Sequence, residues 1–116
     1  MSRIVYRIVL TNPPSAEDFK SYRELGKTAH RTNSDTERMM SGLSVYLSLG
    51  YARRMGKRFP WKGNCFVAEL ELSDDRDFTL EQTGENPKHY TLWCSGDVAL
   101  ASLRRVVSVK EDVEDV

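Results

Sequence analysis

At 116 residues, 40% of them hydrophobic, with 17 Lys+Arg balanced by 17 Asp+Glu, the chain has the size of one ordinary domain and too much apolar character for a disordered segment. A domain this long buries roughly two-thirds of the surface its unfolded chain exposes, so it needs no disulfide or metal staple. No stretch approaches the ~20 apolar residues of a membrane span, and the charged start Ser2-Arg3-Ile4-Val5-Tyr6-Arg7 does not read as a signal peptide, so a cytoplasmic protein with no membrane partner is expected.

In chain order, residues 3–11 predict a strand, with Ile4, Tyr6 and Ile8 on an apolar face and Val5, Arg7 and Val9 on a mixed one. Pro13 and Pro14 stop it. Ser15 is the expected N-cap of a helix with an acidic first turn, an apolar edge of Phe19, Tyr22 and Leu25, and Gly26 as its stop. Residues 27–35 predict a polar loop containing His30. Residues 36–41 predict a short helix that sends Met39 and Met40 to the core.

Residues 42–48 predict a second strand, with Leu43, Val45 and Leu47 on one face and Ser44, Tyr46 and Ser48 on the other. A helix over 49–59 follows, with Ala52, Met55 and Phe59 as the buried stripe and Arg53, Arg54, Lys57 and Arg58 on the wet face. After the turn at 61–64 comes the clearest strand, 65–72, whose Glu69 and Glu71 share a face expected to be wet toward its end. Strands over 78–83, 89–93 and 105–109, with a short helix before the last, complete the order, and 111–116 is an acidic tail. The predicted architecture is one α+β domain over 1–110, with a mixed, largely antiparallel split sheet and flanking helices.

Cys65 and Cys94 lack any zinc or redox spacing and are expected as free thiols. With two histidines, a multi-histidine metal site is excluded, and no metal is expected. Charge is unevenly spread: 12 cations against 5 carboxylates in residues 1–63, and 5 against 12 in residues 64–116. Such asymmetry suits either pairing inside the fold or a charge-complementary protein partner.

Chemistry can live in four places. Arg7, beside Tyr6, can fork two donors to a phosphate or carboxylate. Ser44 and Tyr46 offer a hydroxyl and a phenol ring to a ribose or base. His89-Tyr90-Thr91-Leu92-Trp93 suits the wall of a ligand cleft. Arg53, Arg54, Lys57, Arg58 and Trp61 interleave cations and aromatics, as a site for single-stranded nucleic acid does, although a solvated helix face is the favoured explanation.

Tyr6-Arg7 in a first strand, then Gly42-Leu43-Ser44-Val45-Tyr46-Leu47-Ser48 leading into an alanine-bearing helix, then a late cluster of strands, resembles the ADP-ribosyltransferase-like group, which includes small bacterial NAD-degrading toxins of the RES type. The resemblance implies NAD as substrate for a transferase or glycohydrolase, possible membership of a toxin–antitoxin pair, and that group's fold. It implies that Tyr6 and Arg7 meet the dinucleotide, that Ser44 and Tyr46 shape the nicotinamide pocket, and that His89 meets a ribose. The late segment carries no glutamate, so Glu81 is the acid expected to steady the ribosyl cation. The competing expectations are a protein-binding module of antitoxin, immunity or phage-inhibitor type and a small single-strand RNA-binding domain.

Overall fold

The Ile/Val alternation of the first strand forms β1, Ser2–Val9, in a computed structural model that describes residues 2–21, 23–26, 38–58 and 60–109. The other strands are β2 (Leu43–Tyr46), β3 (Phe66–Ser73), β4 (Thr79–Gln82), β5 (His89–Trp93) and β6 (Leu103–Ser108). They form one sheet in the order β4-β5-β2-β1-β3-β6, and every neighbouring pair is antiparallel. With the short helices α1 (Leu49–Gly56) and α2 (Gly96–Ala101) beside the sheet, this is an α+β domain, richer in sheet than the sequence suggested. Tyr22, the loop 27–35 with His30, Phe59 and the tail 111–116 lie outside the described residues.

β1 and β3 pair along their whole length, from Ser2↔Ser73 to Val9↔Phe66. β1 and β2 share one ladder pair, Tyr6↔Tyr46. The sheet is therefore two three-stranded halves meeting at a narrow seam. Alternation sends Val5, Val9, Leu43, Val45, Ala68, Leu70, Leu72 and Leu92 to one face, where Phe19 and Ala99 cover them. On the other face α1 packs over Tyr46, Val67, Cys65 and Val109. Gly56 permits that approach, because a Cβ there would stand 2.9 Å from Cys65 Sγ and 3.0 Å from Val109 Cγ2.

Three expectations are corrected. The mixed face of β1 is the more buried one: Val5 and Val9 are 0% and 1% exposed, while Ile4, Tyr6 and Ile8 are half-buried. The helix after Ser15 is a single 3-10 turn, Ala16–Phe19, after which Lys20 is extended. Its cause is local. Arg7 Nε donates to the Asp18 carbonyl at 2.8 Å, occupying an acceptor that an α-helix would offer four residues on. The Asp18 carboxylate accepts from the Leu10 and Ser15 amides and from Thr11, folding the turn back onto β1. Burial works to raise the Asp18 carboxyl, but the bonds from Thr11, Leu10 and Ser15 and the charge of Arg7 outweigh it and hold the group below its ordinary range.

The third correction is Glu69, which is buried rather than wet. A bulge in the β3–β6 ladder falls beside Glu69 and Leu70, so Arg104 and Arg105 both reach this carboxylate, with Nε at 3.6 and 3.0 Å. Arg104 also meets Glu71 at 3.5 Å, and Ser2 Oγ donates to Glu71 at 2.8 Å. Burial, then the charge and hydrogen bond of Glu69, raise the Tyr6 phenol above its usual value.

The free cysteines are as expected, Cys65 buried and Cys94 half-buried, and burial pushes both thiols up. No helix among the described residues is long and apolar enough to cross a membrane.

Candidate functional site

β2 and β5 pair through Ser44↔Thr91 and Tyr46↔His89, which brings all four side chains to the face that α1 partly covers. β4 adds Glu81 opposite Thr91 on the same face. Gly42 lets the strands close here, since a Cβ at that position would collide with the Thr91 and Trp93 side chains.

His89 is the hub. Its Nδ1 lies 3.2 Å from the Thr83 carbonyl and 3.1 Å from Thr83 Oγ1, and its Nε2 lies 3.0 Å from Ser44 Oγ. A carbonyl only accepts, so in the neutral imidazole Nδ1 carries the proton and Nε2 accepts from the Ser44 hydroxyl. Thr83 Oγ1 continues the chain to Thr91 Oγ1 at 2.6 Å. The result is an exposed serine hydroxyl directed at a ring nitrogen of fixed tautomer, which is competent to move one proton.

The Tyr46 ring meets His89 edge-on, centroids 6.0 Å apart, and leans on Tyr51 at 5.4 Å. Tyr46 is 6% exposed, so it serves as a wall, and Tyr51 of α1 supplies the more open ring. Asn86 Nδ2 donates to Tyr51 Oη at 2.7 Å, and Lys88 Nζ stands 4.9 Å from that ring's centroid. Beside Tyr51 opens a cleft of about 310 Å³, walled by Leu47, Tyr51, Arg54, Pro87, Lys88 and Tyr90.

Ser44, Tyr46 and His89 are thus brought together. Tyr6 sits across the seam from Tyr46, with its hydroxyl bound to Glu69. Arg7 belongs to the opposite face, where Nη1 crosses the seam to the Ser44 carbonyl at 3.0 Å. The contacts described for Arg7 hold the backbone that presents Ser44. Glu81 is on the right face but is forked by Arg38 at 3.0 and 2.8 Å, and Arg38 lies over the Trp93 ring at 4.2 Å. The hydrogen bond and charge of Arg38 hold the Glu81 carboxyl below its usual range.

Among the cations proposed for nucleic acid, Arg54, Lys57 and Arg58 are exposed, whereas Arg53 is buried at 6% and Trp61 packs beside α1. Sequence reasoning missed Thr83, Asn86, Tyr51 and Lys88. Thr91 was legible as the residue two after His89, but Thr83 and Asn86 reach the site only because a turn folds back. Among the described residues no three His, Cys, Asp or Glu side chains converge as metal ligands.

Comparison with family models, with curated proteins and with solved structures returned no match.

Proposed function

We propose that this chain binds NAD on the β2–β5 face and acts as an ADP-ribosyltransferase or NAD glycohydrolase. The observation that carries this is the Ser44–His89 contact at 3.0 Å, with the His89 tautomer fixed by the Thr83 carbonyl. Ser44 and His89 come from separate strands, and the resemblance assigns Ser44 to the nicotinamide pocket and His89 to a ribose.

In this scheme the glycosidic C–N bond breaks and nicotinamide leaves with the bonding pair. A carboxylate is needed near the positive ribosyl centre. Glu81 is the acid on that face, and it acts once Arg38 swings toward the dinucleotide phosphates. Water, or the hydroxyl of an acceptor, forms the new C–O bond and gives its proton to His89 Nε2. Arg7 is a positioning residue here, since it acts through the Ser44 carbonyl.

NMR titration with NAD, with free nicotinamide followed in the same tube, tests this. Amide shifts centred on Ser44, Tyr46 and His89 together with nicotinamide release are the expected result. Flat spectra at millimolar NAD, or equal turnover by an Arg7→Ala, Tyr46→Ala double variant, would sink it.

A further inference from the structure

The cleft beside α1 has walls unlike those of the serine–histidine contact. Its walls include the phenol ring of Tyr51 and two cations, Arg54 and Lys88, and among the described residues no carboxylate. Both cations lie over one ring, Lys88 Nζ at 4.9 Å and Arg54 Cζ at 5.9 Å from the Tyr51 centroid, where an incoming base would displace them toward its phosphates. Asn86 anchors that ring by its hydroxyl and Tyr46 supports it from behind, so its orientation is set before any ligand arrives.

Arg54 alone has an ordinary explanation, because a cation in the last turn of a helix complements its dipole. Lys88 does not share it: it enters from the β4–β5 turn, and both cations are exposed. Lys57 and Arg58, three and four residues after Arg54, extend positive charge along the end of α1. Glu85, in the same turn as Lys88, lies outside the cleft walls. A volume of about 310 Å³ is at the small end of ligand pockets, roughly 300–1,000 Å³, and suits one nucleotide.

We infer that this cleft binds one nucleotide of a single-stranded nucleic acid, with the base stacked on Tyr51, its phosphates held by Arg54 and Lys88, and the strand continuing along Lys57 and Arg58. An aromatic ring together with nearby cations is the combination that holds single strands with little regard to sequence. The structure narrows the basic surface seen in the sequence, removing Arg53 and Trp61 and adding Tyr51 and Lys88. This surface is independent of NAD use and is tested without NAD.

The experiment is fluorescence anisotropy with a labelled short uridine oligomer and a thymidine oligomer of equal length, across a salt series. Binding of both strands that weakens with salt is expected. Arg54→Glu with Lys88→Glu should weaken binding about tenfold or more and lower the slope of log affinity against log salt by about 1.4, the value for two single-strand phosphate contacts. Tyr51→Leu should weaken it roughly 5- to 150-fold, with Tyr51→Phe restoring it. Thermal melts of each variant separate lost binding from lost folding. No binding at low salt, unchanged binding in a folded Tyr51→Leu variant, or an equal loss on reversing Arg76 outside the cleft would overturn the inference.

Discussion

On the β1–β3–β6 half of the shared face, Glu69 is enclosed by Tyr6, Arg104 and Arg105, and Glu71 is held by Arg104 and Ser2. On the β4–β5–β2 half, one exposed pair, Arg38 and Glu81, stands beside a hydrogen-bonded chain of Ser44, His89, Thr83 and Thr91 that holds no carboxylate. The first half brings full charges together and neutralises them at short range. The second leaves an exposed hydroxyl on an imidazole nitrogen, beside a cleft. Polar side chains gathered on a sheet are therefore not equivalent. Charges that close on one another hold the fold, whereas a hydrogen-bonded chain ending at solvent can still exchange a proton with a ligand.

The strongest way to break the comparison is to remove Arg104 and Arg105 together. Glu69, 8% exposed, would keep a buried charge without its cations. A loss of about 3 kcal/mol is expected, the low end for a broken buried pair because both arginines are half exposed. Urea unfolding measures it, and nicotinamide release should stay within about twofold of the parent once the variant is folded. If release collapses with stability intact, the two halves are not separate in role.

His89→Ala cuts the other way. Loss of a positioned base should lower nicotinamide release about a hundredfold. Stability should fall by only about 1 kcal/mol, since the lost hydrogen bonds are partly exposed. Comparable losses in both measurements would make His89 a structural residue.

Asp18→Asn tests the clamp beside the seam. The folded Asp18 carboxyl is depressed, so its contribution is present above the unfolded value of about 3.9 and disappears as pH falls through the folded value. The variant should lose about 1–2 kcal/mol at neutral pH and show a shallower decline in stability below about pH 4.

Tyr6→Phe should give the smallest effect, about 1 kcal/mol or less. The raised Tyr6 phenol contributes stability below about pH 10 that is lost as pH rises through the folded value, so the variant should flatten the alkaline limb of a stability profile.

The strands were legible because alternation and turn residues are local signals. His89–Trp93 emerges with the bounds read from the sequence, and β3 is displaced by one residue. The helix after Ser15 failed because Arg7, eleven residues before Asp18, occupies an acceptor that the helix would use. Arg53 was placed on the wet face because helical spacing was centred on Ala52 and Met55. Close approach at Gly56 moves the buried stripe toward Ala52 and Gly56 and takes Arg53 with it. In the candidate site, Ser44, Tyr46 and His89 were visible as residue types, but their convergence depends on the β2–β5 register. Thr83 and Asn86 depend on the turn that returns the chain to β5, which no spacing rule encodes.

The bulge between β3 and β6 also bears on how this chain behaves in a crowd of its own copies. β6 is an outer strand, and the open edge of a sheet is a template on which another chain can lay a strand. An irregular ladder with two adjacent arginines, 51% and 56% exposed, makes a poor template, because an incoming identical strand would meet a kinked edge and like charge. At the opposite edge, β4 is four residues long and presents Glu81 and Gln82 to solvent. Both margins thus discourage the sheet from growing into a fibre, and on β6 the irregularity that gathers two cations around Glu69 also supplies that protection.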